Sequence, residues 1–138
     1  MNLYVIGPVT GKPGENRQEF ERVADALFAA GHIPMIPHIA DDMRDCEDWQ
    51  SAMCASIREM LRFDFNPYKT KRLPRRLWYE GVAMLDGWEH SRGARIEHGL
   101  AEALAIPCRP WREWLRAESP SAPLAATGAS QPVLARAC

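Results

Sequence analysis

At 138 residues, 46% apolar and 25% charged, with a formal net charge of −1, the chain suits one domain around one buried core and is short for two. The near-neutral balance argues against a dedicated nucleic-acid binder, although it leaves room for a local basic patch. No apolar run approaches the length that spans a bilayer.

The N-terminus enters a strand-like run at once, without a basic segment and a separate hydrophobic stretch, so no signal peptide is expected. "NLYVIG" (2–7) is a short apolar run ending at Gly-Pro and reads as a buried strand. "GPVTGKPGEN" (7–16), with three glycines and two prolines, is a loop. Asn16 and Glu19 have the spacing of a capping box. Phe20, Val23, Ala24, Leu27 and Phe28 mark one face of the helix that follows, and Gly31 suits its end. "HIPMIP" (32–37) reads as a second strand, and its prolines place it at a sheet edge or a strand end.

A second helix is expected near 48–62, with Trp49, Met53, Ile57, Met60 and Leu61 inward. Residues 63–79 break the rhythm with five basic residues and no acid after Asp64. "GVAML" (81–85) is a third strand, and a third helix starts near Ser91. "IPCRP" (106–110) is a weaker fourth strand, and "WREWLRA" closes the fold in a helical turn or two. The domain thus covers 1–116, and 117–138, rich in Ala, Ser and Pro, reads as a disordered tail. Cys46, Cys54, Cys108 and Cys138 form no CxxC pair and stand beside no histidine cluster, as reduced cytoplasmic thiols would. No metal or cofactor is expected.

Strand alternating with helix predicts an α/β domain with a parallel sheet of four to five strands. Ligands of such sheets bind beyond the carboxyl ends of the strands, at the switch point in strand order. Gly7 to Thr10, His38 and Asp86 to Ser91 then border one crevice. "GPVTGK" is no Walker A, with three residues between its glycines and Pro13 where Ser or Thr would hold magnesium. It reads either as a plain turn or as a nest of backbone N–H groups for an anion. Ser91 is a candidate N-cap, and Gly93 and Ala94 leave the first helical turn unobstructed for an anion. His38 is either structural or a ligand residue; Asp41 and Asp42 nearby do not complete a metal set.

Glu97 stands apart. Its neighbours at three and four residues are Gly93, Ala94, Leu100 and Ala101, and none can form the ion pair that usually explains a helical glutamate. It flanks a stripe of Ile96, Leu100 and Leu104, which points it along the crevice wall. It reads either as a boundary acid paired from elsewhere or as a carboxylate beside a developing cationic sugar carbon. The aromatic and basic mix of 63–79, with Lys69 to Arg76, reads as a solvated loop, a lid over an anion, or a nucleic-acid contact.

"LYVIGPVTG", "HIPMIPH" and "GWEHSRGARIEHGLAEAL" resemble the nucleoside 2-deoxyribosyltransferase-like proteins, which include the 2′-deoxynucleoside 5′-phosphate N-hydrolases, and the last segment is most similar to a phage-type branch. The resemblance covers about residues 2 to 110 apart from the insertion, and Ser91 followed six residues later by Glu97 is its most specific element. It implies a flavodoxin-like Rossmannoid three-layer fold that works without a dissociable cofactor. It matches Glu97 to the catalytic glutamate and Ser91, with Gly93 and its neighbours, to the phosphate site. Gly7, Pro8 and Thr10 match the ligand-binding first loop, Tyr4 the aromatic before it, and His38 the histidine after strand two; Asp86 and Gly87 lead into the phosphate site. The family's aspartate on the second helix falls at Ser56, in "CASIREML", which can donate a hydrogen bond but carries no charge; Asp48 or Asp64 could supply that charge in space.

The activity so implied is cleavage of the base–sugar bond of a nucleotide or deoxynucleotide, by hydrolysis or transfer. The alternative is a protein of the same fold that senses or sequesters a nucleotide without cleaving it. A homo-oligomer is expected from the resemblance and from Trp49, Trp88, Trp111 and Trp114, read as aromatic surface.

Overall fold

Leu3, Tyr4, Val5 and Ile6 are all buried, a continuous apolar run that only a central strand covered on both faces can absorb. They form β1 (Asn2–Ile6) in a computed structural model that describes residues 1–39, 46–63 and 77–116. β1 pairs in parallel with β2 (Ile33–Met35) on one side and with β3 (Gly81–Met84) on the other. β4 (Cys108–Pro110) adds to β3, also in parallel. The order β2-β1-β3-β4 is the flavodoxin-like one, so the expected α/β class and parallel sheet are observed, with four strands among the described residues. β2 lies at an edge, as its prolines predicted.

The pleat sends alternate residues to opposite faces, and each face has its own core. Leu3, Val5, Ala83 and Leu85 meet Phe20, Val23 and Leu27 of α1 (Arg17–Ala29), with Trp111 and Trp114. Tyr4, Ile6, Val82 and Met84 meet Met60 of α2 (Trp49–Met60) and Ala94 and Ala101 of α3 (Arg92–Ala103). Helices on both faces make three layers.

Several local expectations are corrected. Asn16 does not cap α1 with its side chain: its backbone is left-handed, and its amide donates to the Pro8 carbonyl at 2.9 Å. It therefore pins the first loop back on itself. Phe28 is exposed, and Trp49 is not inward but 38% exposed at the start of α2. On α3 the large residues Ile96 and Leu104 face outward, while Ala94, Glu97 and Ala101 are the buried side. Small side chains let that helix approach the sheet closely, so Ile96 and Leu104 of the stripe are external while Leu100 packs against the core. Trp111 and Trp114, read as surface, are core residues at 5% exposure, and Trp114 Nε1 donates to the Val82 carbonyl at 3.1 Å. They belong to a closing 3₁₀ segment (Trp111–Leu115).

The ends of the basic insertion are paired, with a Phe63–Leu77 bridge and Trp78 N donating to the Arg62 carbonyl at 2.7 Å. Lys69 to Arg76, Asp41, Asp42, Asp64 and the tail at 117–138 lie outside the described residues. Among the described residues, no helix is long and apolar enough to cross a membrane.

Candidate functional site

The chain leaves β1 toward β2 and later returns to β3 on the other side of β1, so the loops after β1 and β3 diverge. A cleft of about 580 Å³ opens at that switch point, as the architecture predicted. Gly7 and Thr10 after β1, His38 after β2, and Ser91 and Gly93 at the start of α3 all line it. Ser56 of α2 and Glu97 of α3 complete the wall.

Glu97 is only 7% exposed. It sits at the middle of the buried face Ala94–Glu97–Ala101, so its partners come from outside its own helix. The Tyr4 hydroxyl lies 3.2 Å from Glu97 Oε1, and the Ser56 hydroxyl lies against the same oxygen. Tyr4 and Ser56 are themselves hydrogen-bonded, oxygen to oxygen at 2.6 Å. Each hydroxyl has one proton to give, so the trio is a short chain ending on one carboxylate oxygen. Neither hydroxyl bonds Oε2.

Both partners are neutral. Burial therefore dominates and raises the Glu97 carboxyl to about 7, against the smaller lowering pull of the Ser56 and Tyr4 hydrogen bonds. The Tyr4 phenol is pushed well above its ordinary value, first by burial and then by the nearby Glu97 charge. Tyr4 is wholly buried and is not among the residues that line the cleft, so it holds Glu97 from behind the wall. Its ring also meets Tyr79 edge to face, at 5.3 Å between centroids, and the Tyr79 hydroxyl donates to Glu59.

At the head of α3 the Ser91 hydroxyl accepts from Ala94 N at 3.3 Å, the expected N-cap. Gly7 is fixed by space: a Cβ there would lie 2.8 Å from Leu85 Cβ, so the first loop can leave β1 beside β3 only without a side chain. His38 stands at the rim with Nε2 2.9 Å from the Glu15 carbonyl and its ring against Phe20.

Three other predicted residues do not border the cleft. Pro8 is buried, and its carbonyl serves Asn16. Asp86 turns to Arg112, whose Nη1 is 2.8 Å away and holds the carboxyl below its ordinary value. Gly87 has a left-handed φ of 81° and turns the chain into the 3₁₀ turn Trp88–His90. Asp48 does not take the place of a charged partner for Glu97. Its carboxylate caps α2 by accepting from Ser51 N at 2.7 Å, at the cleft mouth.

Sequence reading missed the mouth itself, where Arg17, Glu47, Trp49 and Met53 join the lining. Trp49 has the Arg92 guanidinium 4.1 Å over its ring, joining the N-termini of α2 and α3. A tryptophan one residue after an N-cap was the available signal, since that position faces a helix end rather than a core. Among the described residues no three His, Cys, Asp or Glu side chains gather as metal ligands.

Residues 1–109 match the family described as a domain of unknown function, DUF4406, and the chain belongs to that family. No curated protein and no solved structure matches it.

Proposed function

We propose that this DUF4406 member cleaves the bond between base and sugar in a nucleotide or deoxynucleotide. The observation that carries the reading is Glu97: a carboxyl in the cleft wall, almost buried, whose partners among the described residues are two neutral hydroxyls and no cation. An acid kept for stability would be expected to have a paired charge, since an unpaired buried carboxylate destabilises the fold. The resemblance of residues 2–110 to the deoxyribosyltransferase-like proteins supports the same assignment.

In the proposed reaction Glu97 Oε2 attacks C1′ as the C1′–N bond breaks. The base leaves and takes a proton from water. A second water then adds to C1′, the ester to Glu97 breaks, and the carboxylate is restored, as in retaining glycoside cleavage. An acceptor base in place of that water gives transfer instead. Ser91 lies six residues before Glu97, about 9 Å along the helix axis. Helical side chains lean toward the N-terminus, so the carboxyl and the helix end are separated by about the length of a sugar carrying a 5′-phosphate. Ser91, Gly93 and the first-turn N–H groups are assigned to that phosphate.

The proposal includes a soluble, cytoplasmic protein that assembles as a homo-oligomer. What supports assembly is the exposure of Ile96 and Leu104 along one side of α3, at 40% and 44%.

Nucleoside monophosphates and their parent nucleosides, ribo and deoxy, are the test panel, with free base followed by chromatography. Release from monophosphates is expected, and Glu97→Gln is expected to lower it by roughly three orders of magnitude or more. Turnover retained in that variant would overturn the assignment. Ser56 favours a second reading, in which a nucleotide is bound and not cleaved, because it offers Glu97 no charge. Tight monophosphate binding without product, unaltered by Glu97→Gln, would select it.

A further inference from the structure

The turn between β3 and Ser91 has few side chains that could hold it in place. Asp86, Glu89 and His90 are exposed, and the Asp86–Arg112 ion pair is exposed at both ends, where such a pair contributes little. Trp88 is the exception. Expected at the surface, it is half-buried and packs against the core on the Tyr4 face of the sheet. Its indole stacks on the imidazole of His98, with 4.3 Å between ring centroids and 29° between planes. The stack ties the turn to the second turn of the helix that follows it, because His98 lies seven residues beyond Ser91 on nearly the same side of α3. The main chain of Trp88 completes the link: its carbonyl accepts from Ser91 N at 3.0 Å. Glu102 also reaches the imidazole, 3.6 Å from Nδ1, but its side chain is 66% exposed. Neither Trp88 nor His98 lines the cleft, so neither meets a ligand bound there.

Ser91 does line the cleft, and its hydroxyl caps α3. Donors already in place bind an anion better than donors that must be ordered on binding, because ordering costs affinity. We infer that Trp88 and His98 are positioning residues for the phosphate site: ring on ring, they fix the turn whose carbonyl holds Ser91 N, and so set the preference for a nucleotide over its nucleoside. This rests on the assignment of Ser91 to the 5′-phosphate made above, and it adds two residues that act through Ser91 without touching the ligand. The imidazole serves here as a flat ring against the indole, so its charge is not required. Phenylalanine at position 98 keeps such a ring, and alanine does not.

The experiment measures dissociation constants for a 2′-deoxynucleoside 5′-monophosphate and for the parent nucleoside, which lacks the phosphate. Glu97→Gln protein is used so that no turnover intervenes. Adding His98→Ala is expected to weaken the monophosphate about 2- to 12-fold, the range of one lost aromatic pair. The nucleoside is expected to bind as before, and His98→Phe to restore most of the monophosphate affinity. General damage to the fold would weaken both ligands together, so an unchanged ratio of the two affinities in His98→Ala overturns the positioning role. A loss that His98→Phe does not restore overturns it as well. If wild-type protein still releases base through Glu97 in either case, the glycosidase reading stands and only the positioning role falls. The expected affinities without base release from wild-type protein would keep the role and remove the glycosidase reading. If wild-type protein neither binds nor cleaves any monophosphate, both fall together.

Discussion

The two faces of the sheet are built from the same strands and do different work. On one face Leu3, Val5, Ala83 and Leu85 meet α1 and two tryptophans, and every side chain in that cluster is apolar or an indole, Trp114 donating to the Val82 carbonyl and Trp111 Nε1 having no partner among the described residues. On the other face the neighbouring residues Tyr4 and Val82 meet α2 and α3, and Ser56 and Glu97 are buried beside them. Moving one residue along β1 passes from a packed hydrocarbon layer to a hydroxyl aimed at a carboxyl. The lesson is a division of labour: the first face supplies stability without titrating, and the second carries a group whose burial costs stability unless a function keeps it there.

The largest change in stability is expected on the first face. Trp114 closes that core against Gly81, where even a methyl group would lie 2.5 Å from its ring. Trp114→Ala empties an indole-sized space, at an expected cost of about 3–5 kcal/mol. Urea unfolding measures it, and the titration of Glu97 should keep its midpoint near 7 in the surviving folded protein. A displaced midpoint would mean that the two faces are not separable.

The next effect is a pH slope that only the second face can produce. The Glu97 carboxyl titrates at about 7 in the fold against an ordinary 4.5, so between those values the folded state keeps a proton that the unfolded chain has lost. Its contribution to stability is therefore fully present below pH 4.5 and is lost as pH rises through 7, about 3 kcal/mol in all. Glu97→Gln, with a neutral amide in the same place, should lack this slope and gain on the wild type toward pH 8. Paired unfolding curves from pH 4 to pH 8 check it. A constant difference between the two proteins would show that Glu97 is not carrying the proton.

How much of this was legible in the chain follows the same division. The strands, the order of elements and the Ser91 cap could be read because they depend on runs, periods and local spacing. Glu97 could be singled out because its helical neighbours offer no charge. Its actual partners could not be read from periodicity, since Tyr4 and Ser56 lie 93 and 41 residues away and meet it only after the sheet forms. Resemblance pointed to them, and their mutual hydrogen bond was unforeseen. The errors over large side chains come from guessing burial by residue type. Large apolar residues were assumed to be internal, but α3 packs by Ala94 and Ala101, so Ile96 and Leu104 are left outside. At Trp49 the same assumption hid the mouth of the cleft, and at Trp111 and Trp114 the opposite assumption turned core into surface.

The smallest expected effect tests the hydroxyl chain itself. Ser56 donates to Glu97 Oε1 and so stabilises the ionised form, pulling the carboxyl down against burial. In Ser56→Ala the Tyr4 hydroxyl can still donate to the same oxygen, so Glu97 keeps one partner and the pocket keeps its shape. The lost bond to a charged group is worth about 1.5–3 kcal/mol to the anion and almost nothing to the neutral acid. The fold should therefore be nearly as stable as wild type at pH 5 and weaker at pH 8. If Glu97 acts as the nucleophile, the rise of kcat/KM with pH should move upward by about one pH unit or more, because the anion is harder to form. A purely structural serine would lower stability equally at both pH values and leave the rate midpoint where it was. The upward movement separates a hydroxyl that tunes the carboxylate from one that only fills space.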